Sequence, residues 1–274
     1  MRTSTLPIAI VQYAPVALNP AANLDRITNM VADSVARGAK MVVFPELACT
    51  GYVEHTRLHE LAETADGPTV QALKNVSRRY GVYLAAGFVE RHQGHVYNAL
   101  SFTSPDGQVS IYRKRHLIFW EHFYFRHGQD PLIVETDFGR IGFAICADMM
   151  YQHVWADYRG KIDLAIIAAA WPKRTPQTAF RVGWMLEPSW SLAGEIPSRV
   201  AHDLEINVAF SNQCGPCHVR IPHLGRATPA AFAARSGIFD HLGNRMTPES
   251  DFEDISFGTP QVPEEHLPCV ILSA

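Results

Sequence analysis

Apolar positions along this chain follow two alternating rhythms, short unbroken runs and helical stripes. Ile8-Ala-Ile-Val-Gln-Tyr13 reads as a buried strand. Asn19-Pro20 then supplies an N-cap and a first-turn proline for a helix whose core face is Leu24, Ile27, Val31 and Val35, and which Gly38 ends. Met41-Val-Val-Phe44 is a second buried strand, followed at once by Pro45-Glu46, so the chain opens as β-α-β. The spacing predicts another helix over 68–80, after the turn signal Asp66-Gly67, with Val70, Leu73 and Val76 inward and Gly81 as its stop. A strand over 82–89 follows. Two more, over 96–103 and 109–113, flank Ser104-Pro-Asp-Gly107 as a hairpin, which makes the sheet mixed.

The second half repeats the theme. Ile141-Gly-Phe-Ala-Ile145 is an apolar strand with Cys146 at its end and a helix expected after it, and residues 162–169 return as a strand ending in Trp171-Pro172. Pro172 to Pro197 reads as an ordered excursion over the core, with four prolines and three tryptophans (Trp171, Trp184, Trp190) at or inside its limits. A helix is predicted over 198–205, a strand over 206–211, and a short strand over 236–240 that ends in the turn His241-Leu-Gly-Asn244. From about Glu249 the chain is acidic, proline-bearing and aperiodic, and is expected to lie extended along the surface or to reach a neighbouring subunit. Residues 1–274 contain no repeat and read as one domain.

Composition narrows the function classes. With 24 Lys plus Arg against 27 Asp plus Glu, the formal charge of −3 offers no basic field for phosphates, which disfavours nucleic acid. No apolar run reaches the roughly 18 to 20 residues that span a bilayer, and residues 7–11 are too short for a signal-peptide core, so a cytoplasmic, membrane-free protein is expected. Five cysteines (Cys49, Cys146, Cys214, Cys217, Cys269) at irregular spacing do not make a disulfide framework, so at least one thiol should be free.

Four residues could carry chemistry. Cys146 ends an apolar strand, where a cysteine is by default a small hydrophobe, yet strand ends in α/β sheets are where sites collect. A helix starting there would point N–H groups at the sulfur and favour thiolate. Glu46 ends another strand, Lys114 stands in Tyr112-Arg-Lys-Arg-His116, and Glu121 stands in Phe119-Trp-Glu-His-Phe-Tyr-Phe125. Alone, each of these three reads as a solvated charge.

Taken in order, the strings Phe44-Pro-Glu46, Tyr112-Arg-Lys114, Glu121-His-Phe-Tyr-Phe125 with Gly128, and Gly139-Arg-Ile-Gly142 leading to Cys146-Ala-Asp148 resemble the nitrilase superfamily of carbon–nitrogen hydrolases. Residues 8–13, Asn212-Gln213 with Gly215, and Ser236-Gly237 with Asp240 extend the likeness over nearly the whole chain. The resemblance implies an α/β, four-layer α-β-β-α sandwich with two mixed sheets. It also implies a homodimer or larger homo-oligomer, and a site of Glu46, Lys114, Glu121 and Cys146 that needs no metal or cofactor. In those roles Glu46 is the base, Cys146 the nucleophile, Lys114 and the Ala147 N–H hold the oxyanion, and Glu121 orients the substrate and balances the lysine charge. Tyr52, Trp120, His122, Met149 and Trp171 are expected to face the substrate because they lie near these positions in sequence.

Where the nitrile-cleaving branch shows Trp-Glu after the nucleophile, this chain has Ala147-Asp148, which favours a small amide or N-carbamoyl substrate. Nitrilase or amide-forming acyltransferase activity are the alternatives on the same fold. His153 and Ala156 replace a glutamate and an arginine that the family pairs. From another class, Cys214-Gly-Pro-Cys217 has the letters of a thiol oxidoreductase, but lacks the strand–helix setting such a motif needs. A catalytically inactive binding protein is the last rival, and the presence of all four residue types weighs against it.

Overall fold

Central strands here are buried on both faces, so each feeds two cores at once. The computed structural model describes residues 3–173, 189–217 and 230–263. β1 (Thr3–Thr5) leads into β2 (Ile8–Gln12), then α1 (Pro20–Ala36), which the Asn19 side chain caps by accepting the Ala22 N–H at 3.2 Å. β3 (Met41–Val43), α2 (Arg57–Glu60) and α3 (Pro68–Tyr80) follow, and Gly81 closes α3 in the left-handed conformation. β4 (Tyr83–His92), β5 (His95–Thr103) and β6 (Val109–Arg113) form an antiparallel meander.

α4 (Glu121–Tyr124), β7 (Ile133–Thr136) and β8 (Gly139–Ile145) lead to a 3₁₀ turn (Cys146–Met150) and α5 (Gln152–Ala156). β9 (Leu164–Ala169), β10 (Pro172–Lys173), α6 (Ser189–Leu204), β11 (Asn207–Asn212) and β12 (Pro216–Cys217) come next. β13 (Ala230–Phe232), β14 (Gly237–Phe239), β15 (Asp254–Gly258) and β16 (Gln261–Pro263) complete the described chain.

Two mixed sheets stack face to face. One runs β15-β2-β3-β4-β5-β6 and the other β14-β11-β9-β8-β7. Alternate residues divide between the layers: Ile8 and Ile10 of β2 join the inter-sheet core with Phe143, Ile166 and Phe210, whereas Ala9 and Val11 face Ile27, Val31, Val70 and Leu73 of α1 and α3. On the far side Ala193, Val200, Ala201 and Leu204 of α6 pack on the second sheet. This is the expected four-layer sandwich. β2, β3 and β4 are parallel, as are β8, β9 and β11, so the segments leaving β3, β8, β9 and β11 emerge from carboxyl ends, where such sheets gather their sites.

Four expectations change. After Cys146 there is a five-residue 3₁₀ turn and a five-residue helix in place of one longer helix. The helix expected over 198–205 begins at Ser189 and contains Pro197, so the end of the excursion is helical, while residues 174–188 lie outside the described residues. β7 was not anticipated. The acidic C-terminal stretch supplies an edge strand, β15, antiparallel to β2, and β16 then pairs with β1; residues 264–274 lie outside the described residues. Among the described residues no helix is long and apolar enough to cross a membrane. Cys49, Cys146 and Cys214 are free thiols, and Cys269 lies outside the described residues.

Candidate active site

The turn after β3 is pressed against β4. The Phe44 N–H still donates to Ala85 O at 2.8 Å, and the Cys49 N–H donates to Gly87 O at 2.9 Å. Gly87 permits this approach, since a Cβ there would lie 2.2 Å from Leu47 N. Glu46, fully buried, is tied to the opposite sheet: its Oε2 accepts the Ala170 N–H at 2.8 Å and its backbone oxygen accepts from Gln213 Nε2 at 2.7 Å.

Lys114 follows β6, its N–H donating to Asn98 O at 2.8 Å and its carbonyl accepting the Gly128 N–H at 2.7 Å. Gly128 is needed there, because a Cβ would stand 2.2 Å from Arg113 O. Lys114 Nζ donates to Glu46 Oε1 at 2.6 Å and to Glu121 Oε1 at 2.7 Å. Glu121 opens α4, and its Oε2 accepts the Ile118 N–H at 2.8 Å. Burial opposes charge on Lys114, but Glu121 and Glu46 outweigh it and hold the ammonium well above its ordinary range. Burial pushes the Glu121 carboxyl up to about 6 against the pull of Lys114, with Glu46 adding to the rise.

Cys146 begins the 3₁₀ turn with φ +49° and is 1% exposed. Ala147, beside it in the turn, is fully buried. Burial pushes the thiol well up, Glu46 and Glu121 add to this, and Lys114 and the Ala170 N–H pull the other way and lose. The balance raises the Cys146 thiol, whereas a following helix is expected to lower it. Asp148 holds the turn in place. Its carboxylate accepts from Tyr112 OH at 2.8 Å, Ile145 N–H at 3.0 Å, and the N–H groups of Arg115 and His116 at 3.1 and 2.8 Å. It buckles the segment after Lys114 to the segment bearing Cys146.

Of the residues expected to face substrate, Tyr52 lies over the cluster, its ring 5.9 Å from Lys114 Nζ and 5.0 Å from the Trp120 ring. Burial and the two carboxylates keep the Tyr52 phenol neutral. Met149 and Trp171 share the apolar core that includes Cys146, and the Trp171 N–H donates to Asn212 Oδ1 at 2.7 Å. His122 is not brought in: it is exposed, with its ring 5.2 Å from that of His127, because the α4 turn that aims Glu121 inward aims the next residue out. His153 is exposed too, its ring 4.7 Å from that of His116, and Arg115 pairs nearby with Asp157 at 2.8 Å.

Sequence reasoning missed Asn98, whose Nδ2 reaches Glu46 Oε1 at 2.7 Å and Glu121 Oε1 at 3.2 Å, and it missed the hub role of Asp148. The string Val96-Tyr-Asn98 shows only a strand, and nothing in it marks the asparagine. Cys214 and Cys217 are buried, and burial raises the free Cys214 thiol to about 12, the reverse of a reactive redox cysteine. Among the described residues no group of His, Cys, Asp and Glu is arranged to hold a metal.

The model of the carbon–nitrogen hydrolase family matches residues 7–223. The chain is 33% identical to a hydrolase in the pqqF 5' region of Pseudomonas protegens over 93% of this chain and 82% of that one. It is 34% identical to a nitrilase of Pyrococcus abyssi over 53% of this chain, and spans little more than half the length of that relative, 56%. In structure it resembles XC1258 from Xanthomonas campestris, a CN-hydrolase superfamily protein with an arsenic adduct in its active site, at TM-score 0.75 and 25% identity, covering 96% and 92% of the two chains. Sequence, layering and the convergence of strand ends agree, and this chain belongs to the carbon–nitrogen hydrolase family.

Proposed function

We propose that the chain hydrolyses the C–N bond of a small non-peptide amide or N-carbamoyl compound through a thioester on Cys146. The observation that carries this reading is the single buried ammonium, Lys114, hydrogen-bonded to two buried carboxylates that all bear electrostatically on one buried thiol. Glu46 Oε1 already accepts from Lys114 and Asn98, whereas among the described residues Oε2 accepts only the Ala170 N–H, so we assign Oε2 as the oxygen that takes the proton.

Glu46 takes the thiol proton as sulfur attacks the carbonyl carbon, and the oxyanion is held by Lys114 Nζ and the Ala147 N–H. Collapse breaks the C–N bond, the amine leaves with the proton from Glu46, and a thioester remains. Glu46 then deprotonates a water that attacks the thioester. The acid departs, and sulfur regains its proton. Each such oxyanion donor is worth about 3 to 4 kcal/mol, two to three decades of rate. Glu121 balances the lysine charge and orients the incoming nitrogen or water.

Ammonia release from a panel of amides, ureides and nitriles, with and without amine acceptors, together with a mass increment mapped to Cys146, tests the reading. Turnover undiminished in Cys146→Ala would end it. Nitriles alone as substrates would favour the nitrilase alternative suggested by the Pyrococcus relative, and product formed only with an amine acceptor would favour acyl transfer.

A further inference from the structure

Lys114, Glu46, Asn98 and Glu121 form a closed ring of hydrogen bonds. Lys114 Nζ to Glu46 Oε1 is 2.6 Å, Glu46 Oε1 to Asn98 Nδ2 is 2.7 Å, Asn98 Nδ2 to Glu121 Oε1 is 3.2 Å, and Glu121 Oε1 to Lys114 Nζ is 2.7 Å. One ammonium faces two carboxylates in this ring, so one negative charge is left over inside a fully buried cluster. Among the described residues the only donor that touches both of the same oxygens besides the lysine is the Asn98 amide.

We infer that Asn98 is a positioning residue for the proposed hydrolysis, giving one N–H of its amide to each carboxylate and so keeping Glu46 and Glu121 side by side against Lys114. The inference rests on the reading above. The residue type fits the task. A hydroxyl could serve only one carboxylate, a cation would neutralise the base, and an aspartate would add a third negative charge. Asn98 also anchors Lys114 directly, through its carbonyl at 2.8 Å from Lys114 N. Among the described residues its Oδ1 is buried with no partner. Turning the amide over would aim that acceptor at two carboxylates, so the ring fixes its orientation and leaves the orphan oxygen as the cost.

Removing the amide N–H groups takes away a hydrogen bond to the charged form of Glu121 and leaves it less screened from Glu46, so Glu121 must ionise at higher pH. The other titratable groups that bear on the pair are Lys114 from the end of β6, Cys146 from the turn after β8, and Tyr52 from the segment after β3. None of them changes in the variants below.

The test uses the full chain and chloroacetamide, whose chlorine the Cys146 sulfur displaces as chloride once Glu46 has taken the proton. The alkylation rate at Cys146, mapped by mass spectrometry, is followed from pH 4 to 9 in wild type, Asn98→Ser and Asn98→Asp. The acid limb is expected to move up by about one pH unit or more in Asn98→Ser and further in Asn98→Asp, slowing alkylation tenfold or more below the limb. A limb that stays in place while the melting temperature falls would show a merely structural residue and overturn the inference. Asn98→Asp keeps the volume of the side chain, so it carries the test if Asn98→Ser does not fold. Alkylation needs no substrate. A moved limb with no turnover would therefore indict the hydrolase reading alone, and turnover with an unmoved limb would indict Asn98 alone.

Discussion

Gly87→Ala probes how Glu46 is held without touching any group of the site. Gly87 pairs with Leu100 in β4–β5, and its φ is outside the left-handed region, so alanine adds no backbone strain. What it adds is a methyl 2.2 Å from Leu47 N and 2.8 Å from both Glu46 C and Pro45 O. Ordinary contact needs well over 3 Å, so the turn must retreat by about 1 Å, and a misplacement of that size costs on the order of 100-fold in rate. Overpacking adds about 1 to 3 kcal/mol of destabilisation, a fall of several degrees in Tm. Ammonia release and thermal unfolding measure the two effects. Gly81→Ala is the control: its φ of +63° is strained, nothing stands within 4 Å of its Cβ, and it should lose stability while keeping kcat. Gly87→Ala with wild-type kcat/KM and Tm would refute the close-packing argument.

Lys114→Met should be inactive and destabilised by about 3 to 5 kcal/mol at neutral pH, because Glu46 and Glu121 are left buried without a counter-charge. Its loss should shrink on acidification, since protonating one carboxyl removes the repulsion, and melting at pH 5 and 7.5 checks this. In wild type the Glu121 carboxyl, raised from 4.5 to about 6, predicts a kcat/KM profile whose acid limb lies near pH 6. The same raised value means the folded state holds its proton more tightly than the unfolded chain. This contribution to stability is full below about 4.5 and lost as pH rises through about 6, which denaturant titrations at several pH values would show. Asp148→Ala orphans Tyr112 OH and the Ile145, Arg115 and His116 N–H groups, and should cost at least about 3 kcal/mol along with most of kcat; unchanged kcat would remove Asp148 from the positioning of Cys146.

Elements whose boundary chemistry and periodicity agree were legible in the sequence. The helix at Pro68–Tyr80 has a proline at its start, a glycine past its end and Val70, Leu73 and Val76 on one face, so three local signals coincide. The helix at Ser189–Leu204 was cut short because Pro197 signals a break, yet Ala193, Pro197, Val200, Ala201 and Leu204 all lie on its buried stripe. Packing on the second sheet outweighs the hydrogen bond that proline removes. β15 was hidden for a different reason. As an edge strand it pairs by backbone with β2 and has Ser256 as its one buried residue, so no apolar run betrays it. In the site, Glu46, Lys114 and Cys146 stand in recognisable strings, while Asn98 acts through contacts 52 and 23 residues distant and Asp148, besides its local bond to Ile145, through donors 32 to 36 residues away. Only tertiary structure brings such pairs together, and a single sequence carries no trace of the distance.

Three of the turns that deliver the cluster share a conformation that L residues adopt at a cost. Leu47, next to Glu46, has φ +47°; Phe119, two residues before Glu121, has +42°; and Cys146 itself has +49°. Each costs on the order of 1 kcal/mol or more and persists only where the surroundings over-determine it. The restraints can be named. Leu47 O accepts the Gly51 N–H at 2.7 Å, Ile118 O accepts the Glu121 N–H at 2.9 Å, and Asp148 accepts the Ile145 N–H at 3.0 Å. A regular strand would send alternate side chains to opposite faces, and a regular helix would carry them round its axis. The left-handed residue reverses the chain within one step, so that a rigid strand end presents one chosen side chain inward. Glu46 and Cys146 thereby meet from two different sheets, and the strain is the consequence of building a single polar cluster between two apolar layers.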